Sequence, residues 1–346
     1  MARNERPEET TGSPPSPDLF FSTMMGHQLT AVMRTALELD LFTLIGAGTN
    51  TAATIAKKTG GAERGVRILC DALATLGHLT RDDDGSYALT NDSAAFLDRH
   101  SPVYLGSAAD FIASPLLDQA FDRLTEAVRK GGTVLPDDPA MAPDSPYWVS
   151  FARNMGPMQR FPAQALAELL DPKPGAALKV LDIAAGHGHF GIAMATRNPN
   201  AEIYALDWPQ VLEVAKENAA RAGVASRYHT MPGSAFEVEL GSNFDWVLLP
   251  NFLHHFDPPT CETLLRRVRA ALAPEGEAAV LEFVVDENRT APMRSAMFAL
   301  IMLTTTPAGD AYSYSELAAM FDKAGFSETE LHPLPPSFQR VVIATP

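Results

Sequence analysis

The sequence predicts an α/β protein. A mostly parallel sheet, with helices on both faces and an antiparallel terminal strand pair, follows an N-terminal helical domain of winged-helix type. Three observations predict it. After residue 170, apolar strand-like runs alternate with amphipathic helical stretches, the texture of successive βαβ units. The last two apolar segments, ETELHPL and RVVIATP, are close enough to form a terminal antiparallel pair. Before residue 100, a helix, a turn, a second helix and two short strands follow in winged-helix order.

The 346 residues allow about two domains, and 46% hydrophobic content permits a large core. Residues 1–17, with PEETTGSPPSP, read as a disordered lead. Residues 18–100 read as the winged-helix domain. Its first part, FFSTMMGHQLTAVMRTALELDLFTLI, is too apolar for a solvated helix. A short helix then leads to the turn Gly60-Gly61, a helix from about Ala62 to Leu76, and two strands around Asp82–Gly85. Residues 101–170 read as connecting helices broken by Pro102, Pro115, Pro136, Pro143 and Pro146. DPKPGA opens the final domain, residues 171–346. There KVLDIA, AEIYALD, SRYHTMPG, FDWVLLPN and EAAVLEFVV are the strand candidates, with LAPEG as the turn into the last.

Twenty-seven basic against 42 acidic residues leave a net charge of −15, which disfavours nucleic acid as a partner. The acidic turn DDDG would face phosphate badly, so the second helix reads as an interaction module. No apolar run approaches a membrane span, and the charged beginning carries no signal peptide. Cys70 and Cys261 read as reduced thiols, and the expectation is a cytoplasmic protein with no membrane partner.

KVLDIAAGHGHFG carries Gly186, Gly188 and Gly191 as a literal G-x-G-x-x-G. A glycine loop after the first strand lets main chain approach a ligand at a helix N-terminus. Asp207 ends the next strand, about where a ribose-binding acid belongs. Two cofactor classes fit so far. Asp182, inside VLDIAA, separates them: a carboxylate at the loop mouth repels pyrophosphate and suits a cationic ligand. S-adenosylmethionine has ribose hydroxyls, an ammonium, a sulfonium and no phosphate.

With these residues, the sequence resembles the class I S-adenosylmethionine-dependent methyltransferases. More closely, it is similar to the small-molecule O-methyltransferases of caffeate and hydroxyindole type, including bacterial natural-product members. The resemblance spans about residues 19–340 through FARNM, LDIAAGHG, ALDWP, LHHFD, the Cys261 helix, LAPEG, VLEFV and AGF. It implies a Rossmann-like domain and a homodimer formed through an intertwined N-terminal domain. It also implies that Asp182, Ala184, Gly186 and Gly188 form the methionine side of the cofactor site. Asp207 would take the ribose hydroxyls, with Trp208, Ser234, Ala235 and Phe236 near the adenine. For Trp208 a core aromatic is the alternative and cofactor contact is favoured; Phe236 is evenly balanced between the two. Ala184 stands where relatives usually have glycine, Ser234 where they often have aspartate, and Pro250 where plant enzymes often have lysine.

His254 and His255 follow the strand FDWVLLP, and Glu282 ends VLEF, so both ends face the crevice where open sheets bind ligands. A phenol with a pKa near ~10 is ionised to about one part in a thousand at neutral pH, so methylating it needs a base. The resemblance makes His254 that base. Glu282, at the end of the next strand, reads as its orienting partner, with a solvated strand end as the alternative, and His255, where many relatives have aspartate, reads as a substrate contact at most. A second glutamate of plant relatives is missing, with Ala311 near its place and Asp310 as a possible stand-in. Phe151, Met155, Met297 and Met302 are expected to wall the substrate, though ordinary core is their alternative. His187 and His189 lack companion carboxylates at a metal spacing, so no metal is expected. The leading reading is methyl transfer from S-adenosylmethionine, released as S-adenosylhomocysteine, to a hydroxyl on a small aromatic molecule, a phenol being favoured. Alternatives are C- or N-methylation, non-methylating chemistry with the same cofactor, and a cofactor-responsive DNA-binding regulator.

Overall fold

A computed structural model describes residues 14–136, 145–170, 175–335 and 337–346. Most of the expected disordered lead, Pro143 and the first part of DPKPGA lie outside the described residues. The chain divides into two compact units, Met1–Gly106 and Ser107–Pro346.

In the first unit the apolar opening segment forms the helices Asp18–Met24, Gly26–Glu38 and Leu41–Gly46. Thr51 and Thr54 form a reciprocal capping box that starts the helix Ala52–Thr59. Gly60, in the left-handed region at φ 72°, ends it. The helix Glu63–Thr75 and the antiparallel pair β1 (Leu79–Arg81) and β2 (Tyr87–Leu89) complete the expected wing. Leu41, Phe42, Ile55, Cys70, Leu73 and Tyr87 form its core. Arg67 and Arg81 both pair with Asp71, at 2.8 and 3.1 Å, and the Tyr87 hydroxyl donates to the same carboxylate at 2.7 Å. Leu19, Phe20, Phe21 and Met24 are each more than half exposed.

The second unit carries seven strands: β3 (Leu178–Ile183), β4 (Ala201–Asp207), β5 (Tyr228–Pro232), β6 (Phe244–Pro250), β7 (Leu272–Glu282), β8 (Glu328–Pro333) and β9 (Arg340–Thr345). Their order is β5-β4-β3-β6-β7-β9-β8. The first five run parallel, and β9 pairs antiparallel with both β7 and β8. The chain moves outward from β3 through β4 to β5, then returns to the other side of β3 at β6. That reversal opens a crevice at the carboxyl ends of the strands.

Side chains alternate between two cores with the strand period of two. Leu181, Ile183, Val247, Leu249 and Val280 face the helices Pro258–Ala271 and Tyr314–Ala324. Val180, Ile203, Leu248 and Leu281 face the helices Pro146–Leu169, His189–Arg197 and Pro209–Arg221. Pro115 and Pro146 start helices, where a missing N–H costs nothing. Pro157 and Pro162 instead lie inside Pro146–Leu169. LAPEG is not a separate turn: it opens β7 as a register irregularity opposite Phe244–Trp246.

The helix His189–Arg197 lies close on β3 and β4 because Gly191 has no side chain. A Cβ there would stand 2.6 Å from Ile203 and 3.0 Å from the Asp182 carboxyl. Gly191→Ala is therefore expected to destabilise the protein by about 1–3 kcal/mol, the usual cost of overpacking. Urea denaturation monitored by circular dichroism reads this as a lower midpoint at unchanged slope.

Candidate active site

The carboxyl ends of β3, β4, β6 and β7 hold most of the expected functional residues. Asp182 is completely buried. It lies beneath the glycine loop, deeper than the loop mouth where the sequence reading set it. The period of β3 explains this: Asp182 shares a face with Val180, toward the helix His189–Arg197. Its Oδ2 accepts from the Gly191 amide at 3.0 Å, and its Oδ1 is buried without a partner. Burial pushes its pKa up to about 8, opposed by the Gly191 bond and reinforced by the Asp207 charge.

Above it the loop turns tightly. Ala184 takes φ 54°, so the position where relatives usually have glycine does require a left-handed residue. Gly186 and Gly188 also have positive φ, and a Cβ on Gly188 would meet the Tyr228 hydroxyl at 2.5 Å. That hydroxyl, like Asp182 Oδ1, is buried and unpartnered.

Asp207 accepts from the Gly186 amide at 2.8 Å and from its neighbour Trp208 at 2.7 Å. Burial raises its pKa to about 6 against those two bonds. Trp208, like Trp148 and Val149, packs against the buried cluster of Ala152, Val211 and Val214. The Gly233 amide donates to the Asp207 carbonyl at 3.0 Å, which brings the following Ser234, Ala235 and Phe236 beside β4. Arg267 donates to the carbonyls of Ala235 and Val238 and ties this loop down. Phe236 packs on Phe256, with ring centroids 5.0 Å apart.

His254 lies in a single turn of 3₁₀-helix, Leu253–His255, directly after β6. Its Nδ1 is 2.6 Å from Glu282 Oε2. The other glutamate oxygen accepts from the amides of Phe252 and His254, at 3.1 and 3.3 Å. Both side chains are almost fully buried. A glutamate bonded at Nδ1 selects the tautomer whose Nε2 can accept a proton. The His255 ring lies 4.3 Å from the His254 ring and 5.3 Å from Trp148, centroid to centroid. Its Nδ1 is buried without a partner, and burial followed by repulsion from His254 holds its pKa well below the usual value.

Asp310 does not replace the missing glutamate at the imidazole. Its carboxylate pairs with Arg289 at 3.0 Å and accepts from the Ala311 amide. Its main-chain N–H, however, donates to the His254 carbonyl at 3.0 Å.

The expected substrate wall is partly assembled. Phe151 stacks edge-on with Phe111 and Trp148, in the aromatic group that reaches His255. Met155 is half-buried, Met302 is buried and Met297 is 56% exposed. Phe298, one residue on, stands 4.8 Å from the His254 ring and stacks on Phe283 at 3.7 Å. Sequence reasoning missed Phe298, Phe283, Trp148 and Arg267. The helix Met293–Thr305 is apolar on nearly every side, so its periodicity gave no inward face. His187 and His189 stack at 4.6 Å, and His187 Nδ1 accepts from the His189 amide. Among the described residues, no group of three or more His, Cys, Asp or Glu is arranged to hold a metal.

Residues 142–327 match the O-methyltransferase domain family, and residues 21–99 match the O-methyltransferase dimerisation domain. The chain belongs to the O-methyltransferase family. This S-adenosylmethionine-dependent methyltransferase is 30% identical over 316 residues to the mitomycin biosynthesis 6-O-methyltransferase of Streptomyces lavendulae. That alignment covers 87% of the chain and 86% of the relative. It is 29% identical to the 3-hydroxy-5-methyl-1-naphthoate 3-O-methyltransferase of Streptomyces sahachiroi, with 92% of both chains covered. The crystal structure of a candidate O-methyltransferase from Nostoc punctiforme superposes with a TM-score of 0.90 at 51% identity, covering 96% of this chain and 99% of that one.

The residues of the methyltransferase fit a sulfonium cofactor bearing an ammonium group. Asp182 Oδ1 is an acceptor left unused under the loop, and each Asp207 oxygen accepts only one main-chain bond, leaving lone pairs for hydroxyl donors. The buried carboxyls also set a pH dependence. Unfolded, Asp182 titrates near 3.8; folded, near 8. Between these values the folded state binds the extra proton, so stability of the cofactor-free protein is expected to fall as pH rises from about 4 to about 8. Asp207, raised to about 6, adds a slope of the same sign over a narrower range. Asp182→Asn should flatten most of this decline, as read by urea denaturation at successive pH values.

Proposed function

We propose that this O-methyltransferase methylates a phenolic hydroxyl of a small aromatic molecule, with His254 as general base and Glu282 as the residue that orients and stabilises it. The observation that carries this reading is the buried 2.6 Å contact between His254 Nδ1 and Glu282 Oε2 at the crevice. The named aromatic substrate of the Streptomyces sahachiroi relative, a hydroxynaphthoate, supports an acceptor of that class.

Asp182 and the loop Ala184–Gly188 are assigned to the methionine part of S-adenosylmethionine. Asp207 is assigned to the ribose, and Trp208, Ser234, Ala235 and Phe236 to the adenine side. When bound, the cofactor supplies a methyl group already activated by its sulfonium. The protein supplies the rest. His254 Nε2 takes the acceptor's proton, Glu282 compensates the imidazolium charge, and the oxygen is left as the stronger nucleophile. Phe298, Phe151 and Trp148 offer flat apolar surface for an aromatic ring, and His255 offers a neutral polar contact beside the base.

His254→Ala is expected to lower single-turnover methylation by ~10²–10⁴, the usual contribution of a positioned base, with cofactor affinity nearly unchanged. Glu282→Ala should cost less, and the double variant should be little worse than His254→Ala, because the two act as one unit. Activity of His254→Ala should partly return at high pH, where solvent ionises the phenol. Wild-type rates in His254→Ala at neutral pH would remove the base.

The exposed residues Leu19, Phe20, Phe21 and Met24, inside or beside the matched dimerisation domain, are assigned to a homodimer interface. Light scattering at micromolar concentration should report a dimer. Phe20→Asp with Phe21→Asp should shift it toward monomer, because a buried unpaired charge opposes association.

A further inference from the structure

The segment Thr306–Ala311 presses on the main chain of His254. A Cβ on Gly309 would lie 2.3 Å from the His254 carbonyl oxygen, 2.7 Å from the Thr306 hydroxyl and 3.0 Å from the His255 carbonyl carbon. No side chain fits there, and the gap it would need is filled by hydrogen bonds. The Asp310 amide donates to the His254 carbonyl at 3.0 Å. The Gly309 amide donates to Thr306 Oγ1 at 2.8 Å, and that hydroxyl donates to the Met302 carbonyl at 2.7 Å. Thr306 is fully buried, so its hydroxyl has no water to fall back on.

The other end of the segment is held as firmly. Thr133 donates from its amide to the Thr306 carbonyl and from its hydroxyl to the Thr304 carbonyl, both at 2.8 Å. A Cβ on Gly132 would meet the Pro307 carbonyl at 2.3 Å. Lys130 Nζ in turn donates to the Thr133 carbonyl at 2.6 Å. The segment is thus a strap fixed at Thr133 and closed on His254.

We propose that this strap is a positioning device for His254, with Gly309 and Thr306 as its determining residues. Glu282 holds the ring at Nδ1, and the strap holds the main chain that carries the ring. Two fixed points leave the imidazole little freedom to tilt, and Nε2 points along one line. This inference rests on the reading of His254 as the base. A main-chain clamp here does work that needs no second carboxylate, and it accounts for a site whose Asp310 carboxylate is committed to Arg289.

The test uses the full chain with labelled histidine. Nitrogen NMR of the cofactor-free protein reports whether His254 stays protonated at Nδ1, and methyl transfer from S-adenosylmethionine to naphthol reports its use. In Gly309→Ala the single tautomer should give way to a mixture and the rate should fall by about 10²-fold, the scale expected for a displacement near 1 Å. The KM for S-adenosylmethionine should stay within about twofold, because the glycine loop is separate from the strap. Where Gly309→Ala fails to fold, Thr306→Val deletes only the bridging hydroxyl and should lose about tenfold with the same spectral change, while Thr306→Ser recovers most of that loss. An unchanged tautomer and an unchanged rate in Gly309→Ala and Thr306→Val overturn the proposal. The spectrum separates it from the base reading: a tautomer that responds to the strap while His254→Ala remains fully active keeps the clamp and removes the base.

Discussion

Hydrogen bonds from main-chain amides to three carboxyl groups, Asp182 and Glu282 buried and Asp207 partly so, hold the carboxyl-terminal edge of the sheet. Asp182, Asp207 and Glu282 lie at the carboxyl ends of parallel strands, and each accepts from main-chain amides: Asp182 from Gly191 in the first turn of the helix His189–Arg197, Asp207 from Gly186 and Trp208, and Glu282 from Phe252 and His254. Burying a carboxyl is costly unless donors replace its water. Here the donors are amides of loops and of a first helical turn, which lack helix or strand partners of their own, so one set of bonds satisfies both sides and fixes the local geometry. Among the described residues no ion pair forms to Asp182 or Asp207, and burial leaves both with raised pKa values.

The two halves of the edge are built differently. Around β3 and β4 the requirement is close approach, met by glycines and by a strained Ala184 that keeps the left-handed turn. Around β6 and β7 an imidazole is held in place. Glu282 bonds its ring, and the Thr306–Ala311 segment bonds its main chain. The aromatic surroundings, Phe298 on Phe283 and Trp148 against His255, leave His254 almost without solvent contact, and desolvation holds the His255 pKa well below its usual value.

The strand pattern, the terminal antiparallel pair and the wing were all legible in the sequence. Local chemistry signals them: period-two apolar runs, a capping box at Thr51, and turn glycines. The pairing of His254 with Glu282 was also legible, because both residues end strands and parallel strands bring their carboxyl ends to one edge. The inward face of Met293–Thr305 was not. That helix has apolar residues nearly all round, so Met297 and Phe298 look alike until packing decides that one is exposed and the other lies against His254.

By itself, then, the sequence determined the elements, their order and the residues at the strand ends, because these depend on periodicity and on short-range turn chemistry. Only the tertiary structure decided the depth of Asp182, the commitment of Asp310 to Arg289 and the strap on His254. Each of these depends on contacts between residues far apart in the chain, and no local pattern encodes how closely two such segments approach.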